Sequence, residues 1–246
     1  MLTDTKSQTL KKELLSQFTG LNFQSGLVRP QPEKLASCVE SIDTFLEGGI
    51  PFGCIVEFGM PLGREGRALM LKFLANATQG KLAKPVWTLW VSSHEDFQVF
   101  PPAWFAKGIS PSRMVFTHSQ RPLRDLKRAI MHPLFKVIIL DSPQKFTKDD
   151  CSFVSRQARA NRQLVILLRN FFLSNRQGNV WAKLRINCWK RHATQELVMK
   201  VIRGLSHRQL IINEEVLRGN HRFPQKSPGY LSPWNRKRKI VKAFAV

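Results

Sequence analysis

Residues 54–68, CIVEFGMPLGREGRA, decide the fold of this chain of 246 residues. They begin with an apolar run of strand length, 54–58, and continue through a turn that contains three glycines. A helix is predicted from about Gly66 to Gln79, where apolar residues recur at helical spacing. A strand, a turn and a helix in this order form the repeating unit of α/β proteins with parallel strands.

Further apolar runs of strand length alternate with helical patterns along the chain. The runs lie at 86–91, 113–116, 136–140 and 164–168, and the helical patterns lie near 101–107, 123–131 and 148–160. Strands that are apolar on both faces are typical of a parallel sheet that helices cover on both sides. We therefore predict an α/β fold with a mostly parallel sheet flanked by helices.

The pattern changes to strict alternation from residue 180. Apolar residues at even positions from 180 to 188 alternate with Trp181, Lys183, Arg185, Asn187 and Trp189, which is typical of a strand with one exposed face. A turn at 191–194 and a returning strand at 197–202 follow. The sheet is therefore expected to end in an antiparallel hairpin that presents these five side chains to solvent.

The chain divides into three parts: an N-terminal helix and linker at 1–34, an α/β core at 35–204, and a basic, partly flexible tail at 205–246. No apolar run approaches the ~18 residues that a membrane-spanning helix needs, and no signal segment is recognisable, so we expect a cytoplasmic protein without a membrane partner. The four cysteines are far apart, with no CxxC pair, and predict buried thiols rather than a metal site or disulfides.

Positive charge is concentrated in the last part of the chain. The formal net charge is +22, and residues 151–246 hold 20 basic and 3 acidic residues. Such a field attracts phosphates or an acidic partner, so DNA is an expected partner. Solvated surface charge is the alternative for each basic group. The candidates for DNA or partner binding are Arg156, Arg159 and Arg162 on a helix, Trp181, Lys183, Arg185 and Trp189 on the hairpin, and Arg236, Lys237, Arg238 and Lys239 in the tail.

The turn after the first strand lies where a phosphate-binding loop would lie, but its residues differ from that motif. A P-loop reads G-x-x-x-x-G-K-[ST], because backbone N–H groups surround the phosphates, the lysine neutralises charge and the hydroxyl binds Mg²⁺. In this chain, Gly59, Gly63 and Gly66 are followed by Arg67 and Ala68, so neither the lysine nor the hydroxyl is present. Two alternatives remain: a plain strand-to-helix turn, or nucleotide binding without hydrolysis.

Residues 42–59, IDTFLEGGIPFGCIVEFG, resemble the approach to the nucleotide site of RecA-like proteins. Residues 136–142, KVIILDS, resemble a Walker B strand, whose terminal aspartate holds Mg²⁺ in active enzymes. The position of the catalytic glutamate falls on His94 or Glu95. The resemblance implies a RecA-like core in which Gly59, Gly63, Gly66, Arg67 and Asp141 are the remnant of a nucleotide site. We expect no catalytic residue, no hydrolysis and no bound cofactor, although ATP binding stays open.

Residues 100–116, FPPAWFAKGISPSRMVF, resemble the ImuA group, which is also related to the cell-division inhibitor SulA. The resemblance extends over about 35–204 and implies an accessory role in damage-induced translesion DNA synthesis, a part of the SOS response. The implied partners are DNA, a polymerase-related protein similar to ImuB, and RecA.

Two alternatives stay open: a RecA-like ATPase or RecA regulator with an unusual phosphate loop, and an inhibitor of cell division similar to SulA. Glu65, Arg67 and Ala68 argue against the first alternative, and the basic C-terminal part argues against the second.

Overall fold

The structure is a computed structural model that describes residues 33–80, 84–94, 100–144, 146–206, 208–213 and 215. Residues 1–32, in which the N-terminal helix is predicted, and the basic run at 236–239 lie outside the described residues. The division of the chain into three parts stays a prediction, but residues 209–213, which are predicted to belong to the tail, form a strand of the main sheet.

The strands are β1 (Lys34–Leu35), β2 (Ile50–Pro51), β3 (Cys54–Gly59), β4 (Trp87–Ser92), β5 (Met114–His118), β6 (Phe135–Asp141), β7 (Leu164–Arg169), β8 (Ala182–Arg191), β9 (Glu196–Arg203) and β10 (Gln209–Asn213). Eight of them form one sheet in the order β10-β9-β8-β3-β7-β6-β4-β5. The six strands from β8 to β5 are parallel to one another, whereas β9 runs antiparallel to both β8 and β10. A separate two-stranded sheet joins β1 and β2.

Helices lie between the parallel strands, as the sequence predicted. The predicted helix at 123–131 is divided into two short helices, because Leu126 adopts a φ of −121° that no helix accommodates. The helices are α1 (Glu40–Phe45), α2 (Ala68–Gln79), α3 (Pro101–Ala106), α4 (Pro122–Asp125), α5 (Lys127–Ile130) and α6 (Lys148–Asn161), with a 3₁₀ turn at Pro111–Arg113. The mostly parallel sheet, its flanking helices and the closing antiparallel hairpin are thus confirmed.

Apolar side chains fill both faces of the sheet. On one face, Phe58 of β3 and Trp90 of β4 pack with Phe73 of α2. On the other face, Ile55 of β3 packs with Val154 of α6. Burial on both faces explains why the parallel strands read as continuous apolar runs rather than as alternating ones.

The register of β8 contains one irregularity that the alternation of the sequence does not reveal. Ile55 pairs with Ala182, but the next residue, Val56, pairs with Leu184, so Lys183 is an extra residue in β8. Ala182 therefore packs with the α6 side of the sheet, while Leu184 packs with the α2 side. The prediction that both residues share one face is wrong, because a bulge shifts the alternation by one position.

In the part of the chain that the structure describes, no helix has both the length and the apolar character needed to cross a bilayer.

All four cysteines lie among the described residues, and none forms a disulfide. Cys38 is exposed, which differs from the expectation that every thiol is buried. Burial raises the pKa of Cys54 and Cys151 to about 11, and it also raises the pKa of the fully buried Cys188. These three thiols are therefore protonated at neutral pH and are poor nucleophiles.

Candidate functional site

The residues that the sequence predicts as the remnant of a nucleotide site lie at the carboxyl edge of the parallel strands. β3 ends at Gly59 and leads through a short loop into α2, while β6 ends two strands away at Asp141. Ligands of open α/β sheets bind at this edge, in the crevice outside the strand ends. The two segments that would contact a nucleotide and its metal ion therefore meet here.

A side chain of the protein itself joins these two segments. The Arg67 guanidinium donates from Nη2 to Oδ1 of Asp141 at 2.9 Å and from Nε to the same oxygen at 3.1 Å. Its Nη1 donates to the carbonyl oxygen of Met60 at 2.6 Å, and its Nη2 also donates to Oγ of Ser142 at 3.0 Å. All three guanidinium nitrogens are therefore engaged by the loop and by the end of β6.

The ion pair is buried, and this makes each charge depend on the other. The Asp141 side chain is 0% exposed and that of Arg67 is 17% exposed. A buried carboxylate is costly unless a cation and hydrogen bonds compensate for its lost hydration. In an active P-loop enzyme, Mg²⁺ and the nucleotide phosphates would meet the charges of this site. In this chain the compensating charge is Arg67, and the guanidinium lies between the loop and Asp141.

The glycines of the loop have packing reasons that do not involve a phosphate. A Cβ atom at Gly59 would lie 2.2 Å from Oδ1 of Asn187, and one at Gly66 would lie 2.4 Å from the carbonyl oxygen of Cys188. Both glycines thus allow the loop to approach β8 closely. Gly63 has a φ of +74° with open space around it, so only its backbone conformation favours glycine.

Residues at the carboxyl end of β8 also bind this loop. The backbone N–H of Lys190 donates to the carbonyl oxygen of Arg64 at 2.7 Å, and its Nζ donates to Oε2 of Glu65 at 2.9 Å. Nε2 of His192 lies 3.2 Å from the carbonyl oxygen of Gly63. Contacts from the end of β8 and from His192 thus help to hold the loop in this shape.

Of the two residues at the position expected for a catalytic glutamate, His94 and Glu95, the structure describes only His94. His94 lies just beyond the end of β4, with Nε2 at 3.8 Å from Oδ1 of Asp141, and Glu95 is outside the described residues. Among the described residues, no three His, Cys, Asp or Glu side chains come together in a way that could hold a metal ion.

A second buried ion cluster lies within the sheet, and sequence reasoning missed it. Glu57 of β3 is 0% exposed and accepts from Nε of Arg169 at 2.8 Å. Its other carboxylate oxygen accepts from the backbone N–H of Asn179 at 2.6 Å and lies 3.7 Å from Nε of Arg185. A glutamate inside an otherwise apolar strand, with arginines on later strands, was the signal that could have indicated this cluster.

These buried groups hold residues 170–181, which we call the strap. The strap connects β7 to β8, which runs parallel to β7 on the far side of β3. It therefore returns the chain from the carboxyl edge of the strands to their amino edge. Asn187 pairs with the backbone of Leu173 in both directions, at 2.7 and 2.9 Å. Arg185 donates from Nη2 to the carbonyl oxygens of Ser174 and, at 2.7 Å, of Gln177.

Two residues of the expected solvent-facing set are therefore buried. Arg185 and Asn187 are 5% and 6% exposed, because the strap covers that face of β8 and because Glu57 requires a cation there. The expectation that Arg185 is available to DNA is wrong. Trp181 precedes β8 and is 49% exposed, Lys183 is exposed, and Trp189 is partly buried with its ring 5.4 Å from that of Phe172.

The three arginines predicted on one helix are exposed, but only two of them lie on it. Arg156 and Arg159 lie on α6, whereas Arg162 follows the helix as its C-cap with a φ of +50°. The structure brings together Gly59, Gly66, Arg67 and Asp141, and the three arginines are not part of that group. The tail residues Arg236, Lys237, Arg238 and Lys239 lie outside the described residues.

Comparison of the sequence with protein-family models and with curated proteins finds no match.

Replacing Arg67 by alanine is expected to lower the free energy of unfolding by about 3–5 kcal/mol, because Asp141 would remain buried without its cation. Arg67→Lys keeps the charge but loses the forked contact, so its effect should lie between wild type and alanine. Chemical denaturation monitored by circular dichroism measures these differences.

The paired variant Arg67→Met/Asp141→Leu is the decisive control. Replacing both partners by apolar residues removes the unpaired charge, so this variant should be more stable than Arg67→Ala. A double variant at least as unstable as Arg67→Ala would show that the ion pair is not the source of the effect.

Replacing Asn187 by alanine is expected to release the strap, because the buried N–H and carbonyl of Leu173 would lose their partner. The strap contains Arg176, an exposed trypsin site. Limited proteolysis with mass spectrometry should detect faster cleavage after Arg176 than in wild type. Asn175→Ala, an exposed change on the same strap, is the control, and equal cleavage of both variants would contradict the assigned role of Asn187.

Proposed function

We propose that this protein is a non-catalytic, RecA-like accessory protein of damage-induced translesion DNA synthesis, which binds DNA and a polymerase-related partner. The observation that carries the non-catalytic part is the Arg67–Asp141 ion pair. A nucleotide entering this edge would have to displace the guanidinium from a carboxylate that is 0% exposed. It would find neither the lysine nor the hydroxyl with which a P-loop binds phosphate and Mg²⁺.

The placement of the motifs supports the RecA-like part of the proposal. The strand that leads into the degenerate loop, β3, is central in the sheet. The strand that ends in Asp141, β6, runs parallel to it, with β7 between the two. An antiparallel hairpin of β8 and β9 follows, as the resemblance to the ImuA group implies. The role in translesion synthesis rests on that resemblance alone.

The distribution of charge supports binding of nucleic acid. Residues 170–213 contain eight lysines and arginines but only one acidic residue, Glu196. An inhibitor of cell division that acts by protein contact alone does not require this excess, so it remains the less supported alternative. An ATPase or RecA regulator that binds nucleotide at this edge would need Arg67 to leave Asp141.

Purified protein is expected to hydrolyse ATP at the background rate, with or without single-stranded DNA. Its melting temperature should not change in millimolar Mg-ATP, because the internal ion pair competes with the ligand. A turnover that Asp141→Asn abolishes and Asp149→Asn retains would contradict the proposal. Turnover that neither change affects comes from a contaminant, since Asp149 lies on α6, away from the ion pair.

Affinity for DNA is expected to fall linearly with salt on a log–log plot, by ~0.7 per phosphate contact for single strands. Fluorescence anisotropy at several salt concentrations measures this slope. Charge reversal of Arg236, Lys237, Arg238 and Lys239 should weaken binding more, per charge, than reversal of Lys81 and Lys84. A flat salt dependence would remove DNA as a partner, and equal effects per charge would show that the field is diffuse.

A further inference from the structure

Strands β8, β9 and β10 carry a row of apolar side chains on the face that the strap approaches. Trp189 of β8 pairs with Val198 of β9, which pairs in turn with Ile211 of β10. Directly paired residues point to the same face of a sheet, so the three side chains form one row across the strands. Phe172 of the strap packs edge to face on Trp189, with ring centroids 5.4 Å apart. We call Phe172, Trp189, Val198 and Ile211 the hairpin row.

The hairpin row reaches solvent at both ends. Phe172 is 45% exposed and Ile211 is 43% exposed, while Val198 between the strands is fully buried. The ring of Trp189 is partly buried beneath this surface. The exposed apolar surface therefore consists of Phe172 with the accessible part of Trp189 at one end and Ile211 at the other, separated by the buried Val198. Apolar groups that stay exposed close to one another on a polar surface mark interaction sites more often than single scattered ones do.

Polar rows flank the hairpin row on both sides. One consists of Asn187, Lys200 and Gln209, which pair across β8, β9 and β10, and Lys200 is exposed. The other contains Arg191, which lies opposite Glu196 and contacts it at 3.4 Å. Exposed cations beside exposed aromatic rings are the combination that binds a phosphate backbone and stacks its bases.

The aromatic end of the row is held in place before any ligand binds. Asn187 fixes the backbone of Leu173, the residue after Phe172, through two hydrogen bonds. A platform that is already ordered loses little conformational entropy on binding, so more of the contact energy appears as affinity.

We infer that the hairpin row is a binding surface for single-stranded nucleic acid, in which Phe172 and Trp189 stack bases and Lys200 contacts the phosphate backbone. This inference rests on the proposed binding of nucleic acid and assigns it to a surface. A single strand is favoured because its bases have open faces for stacking, whereas duplex bases stack on one another and present mainly phosphates. Charge complementarity favours nucleic acid, since residues 170–213 hold eight lysines and arginines against one acidic residue, and all of the eight except the buried Arg185 and Lys190 are exposed.

The test compares two double variants that change the same groups on opposite sides of the sheet. Phe172→Ala/Lys200→Gln alters the hairpin row. Phe105→Ala/Lys107→Gln removes an exposed phenylalanine and an exposed lysine at the end of α3, which packs on β4 and β5 through Trp104. Both variants lose one positive charge and one exposed ring, so a non-specific effect of charge or of apolar surface on affinity is the same in both. Unfolding midpoints check that both are folded.

Affinity is measured by fluorescence anisotropy with a labelled oligothymidylate of about 15 nucleotides and with a duplex of the same length. The hairpin-row variant should bind the single strand at least about fivefold more weakly than wild type, and the control variant should stay within about twofold. Phe172→Tyr should retain affinity, since it keeps the aromatic face, and Phe172→Leu should lose it.

The outcomes distinguish a wrong assignment of the surface from a failure of the proposed DNA binding. Equal losses in the two double variants, or full affinity in Phe172→Leu, would overturn the assignment of the surface while DNA binding stands. A loss of duplex affinity as large as the single-strand loss would overturn base stacking. Wild-type protein that binds neither probe at low salt would overturn the inference together with the proposed DNA binding.

Discussion

The buried ion pair between Arg67 and Asp141 holds the carboxyl edge of the sheet together. It joins the start of α2 to the end of β6 across the strand between β3 and β6, and it also binds Met60 in the loop. An internal guanidinium thus supplies the charge that a metal ion and phosphates supply in active P-loop enzymes. Because the pair is buried, its two partners are stable only together, and loss of either leaves an unsolvated charge.

A second ion cluster shapes the surface where binding is proposed. Glu57 lies at the centre of the sheet and requires Arg169 and Arg185 as counter-ions. Arg185 also binds the strap, and Gly178 lies so close that a Cβ there would meet the guanidinium at 2.2 Å. The cluster therefore engages Arg185, which the sequence suggested for DNA, and the same arginine orders the strap that carries Phe172.

Most of the fold could be predicted, because burial on two faces and regular alternation are local patterns. The parallel strands, their helices and the closing hairpin all follow from such patterns. The faces of β8 could not be predicted, because the bulge at Lys183 depends on how β8 pairs with β3. The sequence also pointed to the glycines of the loop, but it did not reveal why they are glycines. Gly59 and Gly66 allow a close approach to β8, which lies more than a hundred residues later in the chain.

The sequence by itself determined the α/β architecture, the concentration of positive charge in the C-terminal part, and the absence of a P-loop lysine and hydroxyl after Gly66. Only the tertiary structure decided that Arg67 neutralises Asp141, that Arg185 is buried against Glu57, and that Phe172 and Trp189 form one aromatic contact. Composition and periodicity report how each residue meets solvent or its near neighbours. Ion pairs and ring contacts between distant strands depend on sheet order, because side chains far apart in sequence meet only after the strands have paired.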